Sequence, residues 1–323
     1  MLLVFPGQGS QKSQMGRPFY QNSFVKNLIQ IASQATNKDI EYLLNDAPQD
    51  ELDRTEHAQI ALFTLNYALF QLWLNKNPST EITMLAGHSL GQYVALAIAE
   101  ILSFEDSCRL ILARSELMSK VCGKMLAILG VDFPTANTIA SLASQAGSKD
   151  TGADDNLANC CFVANYNASG QFVLSGSEGA IIRAQAVAAK MGKKSLILAT
   201  SGPFHSPFMY KACQDLFPTL EKLEFKAPKY PVISNVFATA DVDPTNLTID
   251  WKEEAAIHMK APVRWFESLQ FHQNYVNSMA SELDLPPEIK QKYSEITEIG
   301  ANSVLANMTK RDGFEIRYNS EYL

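Results

Sequence analysis

The feature that most constrains this chain is a serine flanked by glycines, in Gly87-His88-Ser89-Leu90-Gly91. A short apolar segment, 82–85, precedes it, and the apolar stretch 93–99 follows it. This order predicts a buried strand, a sharp turn and a buried helix, the arrangement of a G-x-S-x-G nucleophile elbow. The glycines let backbone pass close to the turn, and the serine stands at a helix N-terminus. The alternative is a Gly-rich strand-to-helix loop that carries a surface serine.

Length, charge and cysteine usage exclude several classes of function. A chain of 323 residues has room for one large domain or two smaller ones with a substantial core. The net charge of −7, without a basic tail, argues against nucleic acid and an anionic membrane surface as partners. No apolar run approaches the length of a membrane span. The five cysteines lack C-x-x-C spacing and the five histidines lack metal-ligand spacing, so we expect reduced thiols, a cytoplasmic protein and no metal.

A second glycine motif lies near the N-terminus, where Gly7-Gln8-Gly9 follows the apolar run 2–5. A Gly-x-Gly after a strand invites a dinucleotide-binding interpretation. The third glycine of that fingerprint would fall at position 12, which is Lys12, and no second βα unit with a ribose-binding acid follows. The sequence therefore argues against a nucleotide cofactor.

Residues 125–199 show a different succession of predicted strands and helices from the rest of the chain. The predicted elements are strand 125–131, helix 134–146, polar loop 147–156, strands 160–166 and 171–175, helix 178–190 and strand 194–199. This β-α-β-β-α-β order is that of the ferredoxin-like split unit. We therefore expect a small ferredoxin-like subdomain at 125–199, inserted between the halves 1–124 and 200–323 of a larger α/β subdomain.

Outside the insert the pattern predicts further elements with definite limits. One helix is expected over 22–45, and Pro218 is expected to end a helix over 207–217. A strand is expected at 232–236. The segment 284–293, which contains paired prolines, is expected to be a surface excursion.

A serine hydroxyl is a weak nucleophile, so a base must lie within hydrogen-bond reach of it. His205 is favoured because it lies in a loop bracketed by Pro203 and Pro207, the kind of segment that carries functional side chains. His88 is next to the serine, but its side chain leaves the turn in another direction. The remaining histidines lie in predicted helices: His57, His258 and His272.

Motifs spread over nearly the whole chain occur in an order that resembles one enzyme family. They are Phe5-Pro6-Gly7-Gln8-Gly9-Ser10-Gln11, Gly87-His88-Ser89-Leu90-Gly91, Arg114 in a helix ending Leu117-Met118, the β-α-β-β-α-β insert, Phe204-His205-Ser206, Ala261-Pro262-Val263-Arg264-Trp265, and Glu298-Ile299-Gly300-Ala301-Asn302-Ser303-Val304-Leu305. Together they resemble the malonyl-CoA:acyl carrier protein transacylases, although any one of them alone would be a weak signal. Stand-alone acyltransferases that serve modular polyketide synthases share this layout, and we expect the chain to lie near that branch.

The resemblance implies an α/β-hydrolase-like core and a Ser–His dyad. Ser89 matches the nucleophile that takes the acyl group from coenzyme A, and His205 matches the general acid–base. The family has no triad acid, because a backbone carbonyl near the position of Arg264 orients the histidine. Malonyl-CoA and an acyl carrier protein are the implied partners, and the coenzyme A thioester is a substrate rather than a cofactor.

The resemblance also assigns the groups that would contact the acyl chain. Gln8 and the backbone N–H of Leu90 match the oxyanion hole. Arg114 matches the arginine that binds the malonyl carboxylate, a task suited to a bidentate guanidinium. Phe204 stands where similar enzymes select the substituent on the α-carbon, and Met118 matches a further substrate-binding position.

Two departures from the family leave alternatives open. Gln92 stands where Glu is usual, and Gly300-Ala301-Asn302 replaces a usual Gly-Pro-Gly. The Gln92 change removes a negative charge near the nucleophile and raises an alternative, an acyl hydrolase of the same fold that clears stalled acyl groups from carrier proteins. Arg114 argues instead for a dicarboxylate substrate. A non-catalytic carrier-binding scaffold is a third interpretation, against which the retention of Ser89 and His205 speaks.

Overall fold

The computed structural model describes residues 1–144, 157 and 159–318, which form two four-stranded sheets and thirteen α-helices. The strands are β1 (Leu2–Phe5), β2 (Met84–Gly87), β3 (Lys124–Leu129), β4 (Cys161–Ala168), β5 (Gln171–Gly176), β6 (Lys194–Ile197), β7 (Ile296–Glu298) and β8 (Ile316–Tyr318). The helices are α1 (Ser23–Thr36), α2 (Ile40–Asn45), α3 (Gln49–Leu52), α4 (Thr55–Lys76), α5 (Leu90–Ile98), α6 (Phe104–Met118), α7 (Phe133–Ala143), α8 (Glu178–Lys190), α9 (Tyr210–Leu220), α10 (Trp251–His258), α11 (Trp265–Glu282), α12 (Pro287–Ser294) and α13 (Leu305–Thr309). No helix among the described residues is both long enough and apolar enough to span a bilayer.

The first sheet is parallel and carries the elbow. Its strand order is β2-β1-β7-β8, and each neighbouring pair runs in the same direction. Every residue of β1 and β2 is buried, as expected of a parallel sheet covered on both faces. In such sheets functional groups gather at the carboxyl ends of the strands. Here β1 leads into the Gly7-Gln8-Gly9 loop and β2 leads into Ser89, so both motifs lie at one edge.

Helix α4 shows why this core is large. Fourteen of its 22 residues are buried, and apolar side chains occur on almost all of its faces. A helix that is apolar all round belongs inside a protein rather than on its surface. α4 packs against α5 and α6, which carry the elbow and Arg114, so the core helix supports the two elements that hold the expected site.

The second sheet is antiparallel, with strand order β4-β5-β3-β6. Helices α7 and α8 pack on it around a separate apolar cluster. Both the element order and the strand order are ferredoxin-like, so the expected α/β class with an antiparallel small subdomain is confirmed. The expected boundaries of that subdomain, 125 and 199, stay a prediction, and the strands of its sheet extend from Lys124 to Ile197.

Two contacts join the small sheet to the rest of the chain near the elbow. Val263 and Asn165 form a parallel bridge, in which the Tyr166 N–H donates to the Val263 carbonyl at 2.9 Å. Nε2 of the His88 ring lies 2.8 Å from Oδ1 of Asn167, near the end of β4. The edge of the small sheet thereby covers the elbow and forms one wall of a cleft.

The helix expected over 22–45 is two helices. Asn37 ends α1 in the left-handed conformation, with φ of 53° and ψ of 36°. Asn tolerates that conformation at a helix C-terminus. Asp39 then begins α2, and its side chain accepts the N–H of Tyr42 at 2.9 Å. The signal for the break was the polar run Asn37-Lys38-Asp39 itself.

Pro218 does not end its helix, which corrects a further expectation. The segment 207–209 forms a 3₁₀ turn, and α9 continues through Pro218 to Leu220. A proline this close to the end sacrifices only the bond to the Gln214 carbonyl. Burial of Leu216 and Leu220 holds the last turn in place.

One other expected element differs from the structure, and a second lies at the surface as expected but is partly helical. The strand expected at 232–236 is only a bridge between Val232 and Leu85. A turn interrupts it, because the Ser234 hydroxyl accepts the N–H groups of Val236 and Phe237. The excursion at 284–293 lies at the surface but contains α12, none of whose residues is buried. The polar loop expected at 147–156 lies outside the described residues.

Candidate active site

Ser89 occupies a strained turn between β2 and α5. Its φ of 51° and ψ of −106° lie outside the regions that side-chain-bearing residues ordinarily adopt. A Cβ on Gly87 would lie 1.9 Å from the carbonyl carbon of Gly91, and a Cβ on Gly91 would lie 1.9 Å from the Phe5 carbonyl oxygen. Both glycines are thus required by close backbone approach, as expected of an elbow.

His205 lies beside the serine, as the sequence predicted. Ser89 Oγ and His205 Nε2 are 2.7 Å apart. The other ring nitrogen, Nδ1, faces the carbonyl oxygens of His258 and Ala261 at 3.1 and 3.2 Å. Because carbonyls only accept hydrogen bonds, Nδ1 carries the proton, and the lone pair of Nε2 is available for the serine hydroxyl.

The expected orienting carbonyl at Arg264 is wrong. The Arg264 carbonyl accepts the N–H and hydroxyl of Ser268, because Arg264 caps the first turn of α11. Its guanidinium pairs with Glu267. The carbonyls of His258 and Ala261 orient His205 instead, one at the end of α10 and one just before Pro262.

The surroundings keep His205 neutral. Burial, followed by the positive charge of Arg114 and by His88, lowers the pKa of His205 to about 3. The hydrogen bonds to the two carbonyls act in the opposite direction. A neutral imidazole whose Nε2 faces the serine is in the form required of a general base across the physiological range.

Arg114 is completely buried next to the serine. One guanidinium nitrogen, Nη2, is 3.4 Å from Ser89 Oγ, and Nη1 donates to Gln59 Oε1. The guanidinium carbon also lies 5.0 Å from the centre of the Tyr93 ring. Among the described residues no carboxylate forms an ion pair with Arg114. A buried cation without an anion is costly, so this geometry suits an anionic ligand.

The two expected oxyanion donors face the same space. Leu90 is the first residue of α5, so its N–H has no partner within that helix. Gln8 also borders the cavity, and its Nε2 makes a long 3.4 Å contact with Thr55 Oγ1. Such a weak contact leaves the Gln8 amide able to turn toward a developing oxyanion.

These groups line a cleft of about 500 Å³ between the two sheets. Phe204 and Met118, the other expected substrate residues, border it and are nearly fully buried. Apolar side chains of the small sheet also line the cleft: Met125, Ala127 and Val173. The volume is sufficient for an acyl chain and part of a thioester arm.

Sequence reasoning missed the groups that hold the elbow from behind. The Asn235 side chain binds the backbone of the two residues that flank His88 in the chain. Its Oδ1 accepts the Ser89 N–H at 2.8 Å, and its Nδ2 donates to the Gly87 carbonyl at 2.7 Å. Gln92 is fully buried and does not line the cleft. The only signal for Asn235 was a polar pair, Ser234 and Asn235, inside an apolar segment that was predicted as a strand.

Because buried histidines are kept neutral, the free energy of unfolding should fall as the solution is made acidic. His272, on α11 away from the cleft, has its pKa lowered to about 4, mainly by burial. Between pH 4 and 6.5 the unfolded chain therefore binds more protons than the folded one, and stability falls as the pH falls. Replacing His272 with Gln should remove up to about 1.4 kcal/mol per pH unit of this dependence, measured by urea unfolding across the window. An unchanged slope in H272Q would contradict the assignment.

Comparison with known proteins agrees with this geometry. The sequence profile of acyl transferase domains matches residues 2–272. The malonyl CoA-acyl carrier protein transacylase of Haemophilus influenzae is 31% identical over 315 residues, which is 96% of this chain and 91% of that protein.

Solved structures extend the likeness to the fold. The acyl-carrier-protein S-malonyltransferase of Burkholderia pseudomallei superposes with a TM-score of 0.81 at 30% identity, over 98% of this chain and 94% of that one. A malonyl transacylase solved with a type II polyketide synthase acyl carrier protein superposes with a TM-score of 0.80 at 27% identity, over 98% of this chain and 94% of that one. A match of this extent in both sequence and fold shows that the chain belongs to the malonyl CoA-acyl carrier protein transacylase family.

Proposed function

We propose that the protein moves a malonyl group from coenzyme A to the phosphopantetheine thiol of an acyl carrier protein, through an ester on Ser89. The observation that carries this proposal is the arrangement of three groups around one oxygen atom. Ser89 Oγ lies 2.7 Å from the neutral ring of His205 and 3.4 Å from the buried guanidinium of Arg114. A nucleophile, a base and a carboxylate-binding cation thus meet within one cleft.

In the first half of the reaction the serine oxygen attacks the thioester carbonyl carbon, while His205 Nε2 takes the hydroxyl proton. The negative charge that develops on the carbonyl oxygen faces the Leu90 N–H and the Gln8 amide. The carbon–sulfur bond then breaks, and His205 returns its proton to the departing coenzyme A thiolate. The product is a malonyl ester on Ser89.

The second half repeats these steps with the carrier protein thiol. His205 takes the thiol proton, and the sulfur attacks the ester carbonyl carbon. The bond between that carbon and Ser89 Oγ breaks, and the proton passes to the serine oxygen. The enzyme is restored and the malonyl group is now a thioester on the carrier protein.

Substrate choice follows from the position of Arg114. The free carboxylate of a malonyl group is one methylene away from the reacting carbonyl, so it lies within reach of a guanidinium next to Ser89 Oγ. Phe204 and Met118 border the same space and limit the bulk that can be attached to the α-carbon. Unbranched malonyl is therefore the proposed acyl group. Service to a modular polyketide synthase, the narrower expectation, stays a prediction.

The hydrolase alternative rested on Gln92, and the position of that residue weakens it. The Gln92 side chain faces the core rather than the cleft, so its neutral amide does not change the polarity around an approaching water. We therefore expect carrier thiol to remove the malonyl group from Ser89 at least about tenfold faster than water does.

This expectation is tested by measuring free malonate and malonyl-carrier protein with and without carrier protein. The proposed function predicts that carrier protein diverts the flux from malonate to the thioester. Release of malonate at the same rate in both reactions would make the editing hydrolase the better conclusion.

A further inference from the structure

A buried carboxyl group lies behind the elbow and binds the side chain of Gln92. Glu254, on α10, is fully buried. Its two oxygens accept hydrogen bonds from Gln92 Nε2 at 3.0 and 2.9 Å, and the Ser234 hydroxyl donates to it at 3.0 Å. In its ionised form, Glu254 therefore places a negative charge on the other side of the hydrogen bonds from the neutral Gln92 amide.

This carboxylate is connected to the nucleophile through two further residues. Gln92 Oε1 accepts the Asn235 backbone N–H at 2.6 Å. The Asn235 side chain in turn binds the Ser89 N–H and the Gly87 carbonyl. An uninterrupted series of hydrogen bonds thus runs from Glu254 to the strained backbone of Ser89.

The chemistry of the series explains why a carboxylate is needed in it. An amide presents a donor on one side and an acceptor on the other, and it can bind in either orientation. A carboxylate that accepts on both oxygens forces Gln92 to turn its Nε2 toward Glu254 and its oxygen toward the Asn235 N–H. If Gln92 reversed, two donors would face each other at Asn235, and the support of the elbow would be lost.

Charge gives Glu254 a second connection to the site. Burial raises its pKa to about 7, while the hydrogen bonds from Gln92 and Ser234 and the positive charge of Arg114 lower it. Tyr93 on α5 is a further titratable group: burial raises its pKa, the charge of Arg114 lowers it, and the charge of Glu254 raises it. Glu254 is therefore a buried carboxyl group that partly offsets the charge of Arg114 without forming an ion pair with it.

We infer that Glu254 is a positioning residue, which acts through Gln92 and Asn235 to hold the Ser89 elbow in its reactive conformation. The inference rests on the proposed role of Ser89 as the nucleophile. It also predicts that the carboxylate and the amide can exchange places. With Glu at 92 and Gln at 254, the new carboxylate accepts the Asn235 N–H and the new amide donates to it, while the amide oxygen accepts the Ser234 hydroxyl.

The test compares E254Q with the exchanged protein Q92E/E254Q. The readouts are the second-order rate of Ser89 labelling by a fluorophosphonate and the kcat and KM for malonyl-CoA. We expect E254Q to lower the labelling rate and kcat about ten- to a hundredfold, with KM within about threefold of the wild type. The exchanged protein should recover both rates to within about threefold. E253Q, the same change at the exposed neighbouring residue, should leave both rates unchanged.

The outcomes separate this inference from the proposed function. Wild-type protein that reacts with the fluorophosphonate but not with malonyl-CoA would defeat the proposed function, and the labelling rates would still test Glu254. Labelling of E254Q at the wild-type rate would overturn the inference. So would an exchanged protein that labels as slowly as E254Q or does not fold, and the exchange decides the matter even where E254Q is unstable.

Discussion

Ser89→Ala is expected to abolish transfer, lowering the malonyl transfer rate by at least about 10⁴-fold, because it removes the hydroxyl that lies 2.7 Å from the His205 base. His205→Ala should lower the rate by about two to four orders of magnitude, as is typical of the loss of a general base. The measurement is formation of malonyl-carrier protein under saturating substrates. Ser89→Ala removes a single atom from a partly exposed side chain, so the cleft itself should stay intact in that variant.

Two controls distinguish this effect from misfolding. Ser119→Ala removes a serine hydroxyl that only caps the end of α6, so it should transfer malonyl at the wild-type rate. Thermal unfolding of Ser89→Ala should stay close to that of the wild type, because the substitution removes one oxygen atom and only its hydrogen bonds to His205 and Arg114. Transfer by Ser89→Ala within tenfold of the wild type would remove Ser89 as the nucleophile.

Arg114→Ala has the second largest expected effect, and it acts on substrate choice. In a cleft shielded from water, loss of a bidentate guanidinium–carboxylate pair costs about 2–4 kcal/mol. At about 1.4 kcal/mol per decade, kcat/KM for malonyl-CoA should fall roughly thirty- to a thousandfold. Acetyl-CoA has no carboxylate to place against the guanidinium, so its transfer should be unchanged or faster.

The ratio of malonyl to acetyl kcat/KM is the quantity to measure, because a folding defect would lower both values together. Arg109→Ala is a matched control on the same helix. Its side chain is 46% exposed and, within the part of the chain that the structure describes, forms ion pairs with Glu105 and Asp106 on the same helix, so the ratio should not change. A ratio that Arg114→Ala leaves unchanged would separate Arg114 from the acyl group and favour the hydrolase alternative.

Local sequence signals were sufficient for the elbow and the small subdomain. The elbow depends on two glycines and on apolar segments on each side, and these are adjacent in the chain. The ferredoxin-like insert depends on the order of short strands and helices, and α8 begins and ends at its expected residues. The turn, strands and helices that make up these features are each encoded in a short stretch of the chain, so periodicity and turn chemistry are enough to find them.

Residues that act across long sequence separations were not predictable in this way. Glu254 follows Glu253 in the first turn of a helix, where acidic residues are ordinary and usually solvated. Its partner Gln92 is 162 residues away in the chain. Nothing in the local sequence therefore distinguishes Glu254 from an exposed glutamate. The carbonyl that orients His205 was predicted at the wrong residue for a related reason. Which carbonyl groups are left outside helix hydrogen bonds depends on the residue at which α11 begins.

The central claim, that malonyl passes through Ser89 to a carrier thiol, is tested most directly by a single turnover. Enzyme is incubated with labelled malonyl-CoA and freed of excess thioester. One portion is digested and mapped by peptide mass spectrometry. The other portion is mixed with carrier protein that bears its phosphopantetheine arm. The account predicts one malonyl group on the peptide containing Ser89, and its quantitative transfer to the carrier thiol in that one turnover. Malonyl found on another residue, or released as free malonate while the carrier stays unlabelled, would contradict it.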